Sequence, residues 1–440
     1  MLFLAKRKKM WRLPKIVKLK NNLKVILYSS DEFITASILA LVKTGTDYET
    51  KKLNGISHFV EHLFFKGSEN FPSSKVLGLE LDKIGASYNA FTSYEYTGYY
   101  IKTLPEYFER AVYLISDILC NPLFPEEEIE KERNVILEEI NYHIDTPTAY
   151  IFDEVLKITF GDQPAGWSIL GTSKNLHAIK RGHILKYFKT HYTVNNTYLV
   201  LVGNFNQNKI LKILNKFFEK YSNNKAPQKA IFDSKKLPKL KGKIYTRKDL
   251  KQAHILILFK TDGLKDLKDR RFALGVLTSL LGYGLSSRLF RILREELGIT
   301  YYIKVDTDFY TDRGYFFIQT GCNLEKIENT IKRILEEFQK IKKEKIPDEE
   351  IEKSKAILES SLLSTAESSL NLAYFYGIDY LLFNKFLSPN DYILKIKKVK
   401  EEELKRELNK LITYDNLKFG ILVPDEYKNL KIAKIFKKTL

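Results

Sequence analysis

The chain has 440 residues with a formal net charge of +18, and 44% of its residues are hydrophobic. This apolar content excludes general disorder, and the length is enough for roughly two to four domains. The lysines are spread along the chain and mixed with 54 acidic residues, so the charge indicates solvated helix faces better than a nucleic-acid-binding surface. No apolar run approaches the ~20 residues of a membrane-spanning helix.

The cysteines and the basic start of the chain bear on its compartment. Cys120 and Cys322 are the only cysteines, which is typical of a reducing compartment rather than of a disulfide framework. In residues 1–15 a short apolar run precedes the basic residues, whereas a signal peptide has its charges first. We interpret residues 1–15 as a basic N-terminal extension and expect a cytoplasmic protein. Contact of this extension with a membrane surface is the alternative.

The first predicted elements mix strands and helices. Residues 17–29 alternate as a strand does, with a turn at Asn21 and Asn22, and residues 36–43 form a second predicted strand. Further along, a helix ends at Gly85, two strands pair, and two helices follow. In chain order, these segments are residues 73–84, 87–102, 105–119 and 125–144.

Residues 55–67, after the second strand, contain the pattern H-x-x-E-H. Positions four apart share a helix face, so His58 and His62 can point their imidazoles at one spot. Two imidazoles suit Zn²⁺, and Glu61 lies beside them without having to bind the metal. A carboxylate there can take a proton from a zinc-bound water, whose pKa the metal lowers to about 7. The alternative is a helix with two chance histidines, but buried polar groups need partners, and a metal supplies them.

Zinc needs a third protein ligand, and the second of the long helices offers carboxylates. Glu132 and Glu139 are seven residues apart and share a helix face, with Val135 and Ile136 between them on that side. Glu138 is a further candidate, since only one of two adjacent glutamates can face the metal. The remaining alternative is that all of these are ordinary surface glutamates.

The order of these elements repeats in the second half of the chain. Three segments of the first half have similar counterparts in the same order, at offsets of 213 to 222 residues. They are Ala36–Thr44 with Ala253–Thr261, Ile84–Tyr88 with Leu297–Tyr301, and Pro125–Lys131 with Pro347–Lys353. Such a repeat predicts an α+β protein of two homologous domains, each a mainly antiparallel sheet packed with helices, related by a pseudo-twofold duplication.

The predicted domain boundaries follow from a polar, lysine-rich stretch at 223–242, which has the composition of a linker. It separates a zinc-binding domain, 16–222, from a homologous domain, 243–440. When the two copies are aligned, Ala273 and Leu277 lie opposite the two histidines. We therefore expect one zinc ion per chain, held by the first domain.

The H-x-x-E-H motif is followed by E-R-x-V-x-x-E-E-I, which begins at Glu132. Together they resemble the inverzincin metallopeptidases, specifically the pitrilysin/insulysin family in its processing-peptidase branch. The resemblance spans nearly the whole chain and implies a zinc endopeptidase. It implies that Glu139 is the third zinc ligand beside His58 and His62, and that Glu132 supports a metal-binding histidine and catalysis.

A second stretch of the first domain also resembles this family. Asn89, Ala90 and Phe91 are similar to the edge strand on which these peptidases lay their substrate. An extended peptide can add to such an edge through main-chain hydrogen bonds, which makes cleavage tolerant of sequence. From the residues alone, an ordinary aromatic strand pair is the alternative.

In the second domain, residues 282–301 resemble the glycine-rich loop and the Arg/Tyr pair of the family. Arg294 and Tyr301 are seven residues apart, as the family requires. The resemblance implies that Tyr301 donates a hydrogen bond to the developing oxyanion and that Arg294 holds the peptide backbone. The alternatives are a buried core tyrosine and a salt-bridged helix arginine.

Longer relatives fuse two such halves, whereas this chain has one half with both the zinc motif and the Arg/Tyr pair. The resemblance implies a dimeric clamshell chamber for unfolded peptides, in which Arg294 and Tyr301 act on the zinc site of a second chain. The intact set of residues favours a homodimer. The alternatives are a heterodimer with a related subunit and a non-catalytic scaffold subunit. We expect no nucleic-acid partner and no transmembrane segment.

Overall fold

The computed structural model of the chain describes residues 12–440. Residues 1–11, most of the predicted basic extension, lie outside the described residues. Within residues 12–440, no helix is long and apolar enough to cross a lipid bilayer. The strands of this range form a six-stranded and a five-stranded sheet, and each sheet belongs to its own compact unit.

The first sheet is built from strands of the N-terminal half. They are β1 (Lys15–Lys18), β2 (Lys24–Ser29), β3 (Ala36–Val42), β4 (Ser87–Thr92), β5 (Thr97–Thr103) and β6 (Thr197–Gly203). Their order is β1-β2-β6-β3-β5-β4, and the pairs are antiparallel except for β2 with β6. Every residue of β3 is buried, which explains why all of its residues except Ser37 are apolar. β4 forms one edge of the sheet.

The helices of this half follow the predicted order. They are α1 (Ile56–Leu63), α2 (Ser74–Lys83), α3 (Phe108–Cys120), α4 (Glu126–Asp145), α5 (Pro147–Phe160), α6 (Ser173–Ala178), α7 (Arg181–His191) and α8 (Gln207–Phe218). α3 starts three residues later than predicted because residues 105–107 form a tighter turn. Apolar stripes of α3 and α8 pack into the core of the first sheet through residues such as Ile115 and Leu214.

The second sheet repeats the pairing of the first. Its strands are β7 (Gly242–Thr246), β8 (Ala253–Asp262), β9 (Thr300–Phe309), β10 (Arg313–Cys322) and β11 (Leu417–Val423). The order β7-β11-β8-β10-β9 matches β2-β6-β3-β5-β4 strand for strand, and β7 with β11 is again the parallel pair. The predicted α+β class, with two similar helix-packed sheets, is confirmed.

The helices after the linker complete the chain. They are α9 (Leu264–Leu267), α10 (Arg270–Gly282), α11 (Arg288–Phe290), α12 (Ile327–Lys343), α13 (Asp348–Glu367), α14 (Ser369–Phe383), α15 (Pro389–Lys398), α16 (Glu401–Leu411) and α17 (Ile432–Thr439). A wide helical turn, Arg291–Glu296, continues α11. α10 takes the place of α1 in the second copy, and its Ala273 and Leu277 are buried apolar residues.

Each unit contains one helix from the opposite half of the sequence. α5 packs on the second sheet, where a Cβ atom added at Gly420 would lie 2.5 Å from Val155 Cγ2. α14 packs on the first sheet, where a Cβ atom at Gly377 would lie 2.6 Å from Leu41 Cδ1. The absent side chain of each glycine permits this close approach.

The units are therefore discontinuous, whereas the predicted domains are contiguous ranges. One unit contains the described residues up to Tyr142 with Trp167–Ile231 and Leu363–Asn390, and the other contains His143–Gly166, Phe232–Leu362 and Asp391–Leu440. The boundary between Ile231 and Phe232 falls within the predicted linker.

Candidate metal centre

The helix of the H-x-x-E-H motif, α1, begins on a buried carboxylate. Glu49 accepts hydrogen bonds from the main-chain amides of Gly55 and Ser57, at 2.9 and 2.8 Å. Asn54 donates a third, also at 2.9 Å. These bonds satisfy amides that a helix N-terminus leaves without partners. Burial raises the pKa of Glu49, and the hydrogen bonds oppose that shift.

The structure brings His58, His62 and Glu139 together. The Nε2 atoms of His58 and His62 lie 3.6 and 3.5 Å from the same carboxylate oxygen, Oε2 of Glu139. Two atoms that bind one zinc ion at tetrahedral angles lie about 3.3–3.5 Å apart, so this donor set fits the metal. Among the described residues, this is the one group of three or more His, Cys, Asp or Glu side chains with such spacing.

The two imidazoles differ in their surroundings. Burial lowers the pKa of His58 to about 4, so this ring is neutral at neutral pH. Burial would also lower the pKa of His62, but the carboxylates of Glu132, Glu139 and Glu61 raise it to about 9. A zinc ligand must be a neutral imidazole, so His62 has a proton to lose when a metal binds.

Glu132 lies behind His62 on α4. Its Oε2 atom is 3.1 Å from Nδ1 of His62, and Lys66 Nζ is 2.6 Å from its other oxygen. Burial opposes ionisation of Glu132, but His62 and Lys66 lower its pKa overall. A carboxylate in this place can accept a hydrogen bond from Nδ1–H of His62, which leaves Nε2 available to a metal. The supporting role of Glu132 in catalysis stays a prediction.

Glu61 lies beside the three candidate ligands. Its Oε2 atom is 3.8 Å from Nε2 of His58 and accepts a hydrogen bond of 3.0 Å from Thr92 Oγ1. Burial raises the pKa of Glu61, which favours proton uptake, while His62 and the Thr92 bond lower it. The last residue of β4 thus holds the carboxylate of Glu61 beside the three candidate ligands.

α4 presents Glu139 to the cluster and Glu138 to solvent, as the 100° step between adjacent helix residues requires. The expectation that Val135 and Ile136 share the apolar side was wrong for Val135. Ile136 is fully buried, whereas Val135 is 50% exposed. Glu132, rather than Val135, therefore completes the buried side of this helix.

The predicted substrate strand is part of β4, at the edge of the first sheet. Asn89, Ala90 and Phe91 pair with β5 on one side only. Asn89 is exposed, and the ring of Phe91 lies over Gly98, where a Cβ atom would approach it to 2.1 Å. Because Thr92 follows directly, this open edge runs up to the carboxylate of Glu61.

Arg294 and Tyr301 lie in the second unit, whereas the histidine cluster lies in the first. Arg294 donates a 2.8 Å hydrogen bond to the carbonyl oxygen of Tyr301, so its described partner is a main-chain group rather than a carboxylate. Tyr301 is 76% exposed and is not a core residue. Tyr88, at the corresponding position of the first copy, is 38% exposed and is not a core residue either.

Comparison with known protein families decides the relationship of this chain. Residues 24–173 match the family model Insulinase (Peptidase family M16). Residues 178–358 match the model Peptidase M16 inactive domain. Together these matches cover well over half of the chain. The chain belongs to peptidase family M16.

The M16 chain is similar to known proteins over most of its length. An uncharacterized zinc protease of Rickettsia felis is 33% identical over 398 residues, which cover 90% of this chain and 95% of the relative. An uncharacterized zinc protease of Bacillus subtilis is 31% identical over 399 residues, with the same two coverages. The M16 chain is thus similar in sequence to proteins that are named as zinc proteases.

Solved structures show the M16 fold. A protease from Helicobacter pylori has a TM-score of 0.85 at 24% identity and covers 94% of this chain and 100% of its own. A putative M16-like peptidase from Alicyclobacillus acidocaldarius has a TM-score of 0.81 at 19% identity, with coverages of 94% and 99%. At these identities the likeness concerns the fold alone.

Three residues of the M16 site were missed from the sequence. Lys66 lies in the tight turn Phe64–Lys66 after the end of α1, so helical spacing gave no direct signal for it. Thr92 stands next to the predicted substrate strand, but nothing in the sequence pairs it with Glu61. Glu49 is 6% exposed, and nothing in the sequence marks it as a buried acid.

Proposed function

We propose that this M16 chain is a zinc-dependent endopeptidase. One zinc ion per chain is held by His58, His62 and Glu139. The observation that carries the proposal is the place of Glu61, whose side chain is only 12% exposed and whose carboxylate lies 3.8 Å from a candidate ligand atom, outside the ligand set. A purely structural zinc site would use a fourth protein ligand and would have no need of such a base.

The reaction is hydrolysis of a peptide bond. A zinc ion bound at this site would act as a Lewis acid and lower the pKa of a water molecule to about 7. Glu61 takes one proton from the water while the oxygen atom of that water forms a bond to the scissile carbonyl carbon. Glu61 then returns that proton to the amine nitrogen as the C–N bond breaks. Thr92 holds the carboxylate of Glu61 in place throughout.

The substrate is an unfolded peptide that adds to the open edge of β4. Main-chain hydrogen bonds to residues 89–91 would align the peptide without reading its sequence. The edge ends at Thr92, which contacts Glu61. A peptide that lies along residues 89–91 would therefore pass the carboxylate of Glu61. Folded proteins lack the free extended segment that this mode of binding needs.

The second unit supplies Tyr301 and Arg294. Tyr301 donates a hydrogen bond to the oxyanion that develops on the scissile carbonyl, and Arg294 holds the peptide backbone. The 76% exposure of Tyr301 supports a role toward a molecule outside its own unit. In the dimeric chamber that we propose, that molecule is a peptide bound at the zinc site of the second chain.

The test compares wild type with Glu61→Gln on a pool of unstructured peptides, with zinc content measured for both. Wild type should cut the pool, and Glu61→Gln should hold zinc but lose activity. Glu138→Gln, at an exposed neighbour of Glu139, is the matched control and should keep both properties. Zinc-loaded wild type without cleavage would contradict the peptidase assignment. Failure to take up zinc would contradict the ligand assignment.

A further inference from the structure

Lys229, two residues before the end of a segment of the first unit, lies against two carboxylates of that unit. Lys229 Nζ lies 2.5 Å from Oε1 of Glu95 and 3.4 Å from Oδ2 of Asp47. Both carboxylate side chains are 2% exposed, and that of Lys229 is 17% exposed. The next residue, Ala230, donates its main-chain amide to the carbonyl oxygen of Asp47 at 2.8 Å.

The two carboxylates belong to two neighbouring loops, residues 45–49 and 93–96. The amide of Asp47 donates to the carbonyl oxygen of Tyr94 at 2.9 Å. A Cβ atom added at Gly45 would lie 2.1 Å from the carbonyl oxygen of Ser93. The two loops are therefore in direct main-chain contact.

Each loop leads directly into the candidate metal centre. The 45–49 loop ends at Glu49, which binds the first amides of α1, four residues or fewer from His58. The 93–96 loop follows Thr92, which holds the carboxylate of Glu61. The ammonium group of Lys229 therefore contacts a carboxylate in each of the two loops, one of which holds the start of the motif helix and the other of which follows the residue that holds the proposed base.

We propose that Lys229 is a positioning residue for the metal centre, acting through Asp47 and Glu95. It holds the 45–49 and 93–96 loops together, and with them the start of α1 and the hydrogen bond from Thr92 to Glu61. The effect of Lys229 on peptide cleavage rests on the proposed function, whereas its effect on amide hydrogen exchange does not. Removing one partner of a buried ion pair is destabilising, so the contact between the two loops should open more often when Lys229 is replaced.

The experiment measures amide hydrogen exchange, peptide cleavage and zinc content for Lys229→Met, with two comparison variants. Lys229→Arg retains the charge, and Lys225→Met changes an exposed lysine of the same segment. In Lys229→Met, exchange in residues 45–57 and 92–97 should rise about tenfold, with little change in α8. The kcat for peptides should fall about tenfold while zinc content is kept. Lys229→Arg should restore most of both, and Lys225→Met should behave as wild type.

The outcomes separate this proposal from the proposed function. A uniform rise in exchange across the first unit, or an unchanged kcat, would overturn the positioning role. If wild type cuts no peptide, the peptidase assignment fails, and the exchange pattern alone decides whether Lys229 holds the two loops. If Lys229→Met does not fold, Glu95→Gln/Lys229→Met removes one charge of each sign and is measured in its place.

Discussion

Thr92 Oγ1 lies 3.0 Å from Glu61 Oε2, and this hydrogen bond joins the open edge of the first sheet to the helix of the zinc motif. Thr92 ends β4, the strand that we propose binds the substrate. The proposed base and the proposed substrate strand are therefore positioned by one contact. A peptide that aligns with β4 is aligned with Glu61 as well.

Replacing Thr92 with valine should lower kcat/KM without removing the metal. A hydrogen bond to a charged group contributes about 1.5–3 kcal/mol, which corresponds to roughly a 10- to 100-fold loss of rate. Peptide cleavage and zinc content would be measured together. Thr92→Ser keeps the hydroxyl group and serves as the control. Equal losses in both variants would mean that the hydrogen bond does not position Glu61.

Replacing Lys66 with methionine should weaken zinc binding. Lys66 holds Glu132, which in turn orients His62, and loss of such an outer contact typically costs about 10–100-fold in metal affinity. Competition with a chromophoric chelator gives the affinity. Lys131→Met breaks an exposed ion pair on the same helix as Glu132 and should leave the affinity as it was. Unchanged affinity in Lys66→Met would show that Glu132 needs no counter-charge.

Mixing two inactive variants should restore part of the activity if the site is shared between chains. One variant is Glu61→Gln, and the other is Arg294→Ala/Tyr301→Phe. Subunit exchange then creates one site with all of its residues intact. Cleavage is measured after mixing, and subunit exchange is verified with differently tagged chains. No recovery in spite of exchange would place both parts of the site on the same chain.

His254 should make the protein sensitive to acid. This side chain is 5% exposed and hydrogen-bonds with Tyr302 OH at 3.0 Å. Burial, with the charge of Arg247, lowers its pKa to about 4. Since the unfolded chain takes up the proton near pH 6.5, the unfolded state binds more protons between these values. The free energy of unfolding therefore falls as the pH falls from about 6.5 to 4, by up to about 3 kcal/mol.

The measurement is urea unfolding of wild type and His254→Gln at several pH values in this window. The variant should lose less stability on acidification than wild type. His177→Gln changes an exposed histidine and should retain the wild-type pH dependence. Parallel curves for wild type and His254→Gln would mean that other groups determine the acid response.

Local spacing made much of the metal centre predictable. His58 and His62 are four residues apart on one helix, so the helical period alone brings their rings together. The choice of Glu139 over Glu138 needed the family resemblance, because only the packing of α4 tells which adjacent glutamate faces the cluster. Thr92, at the end of β4, and Glu49, in a loop, contact α1 from outside that helix, and the helical period does not predict such contacts.

The two similar sheets could be predicted from the repeated segments of the sequence, but the boundaries of the two units could not. Matching strand sequences reveal that two sheets exist, since β3 and β8 share an apolar pattern. An amphipathic helix shows only that it has a face to bury. Nothing in the sequence of α5 or α14 says which sheet that face covers, and both helices pack on the sheet of the other half.

The placement of α14 has a consequence for how the protein is made. This helix covers a face of the first sheet that includes Ile26, Leu39 and Val200. Synthesis proceeds from the N-terminus, and N-terminal domains usually fold first as they emerge. Here that face stays uncovered until residue 383 has left the ribosome. The first unit therefore remains incomplete until the segment Leu363–Asn390 has been synthesised, and a chain interrupted at the linker would expose an apolar sheet to aggregation.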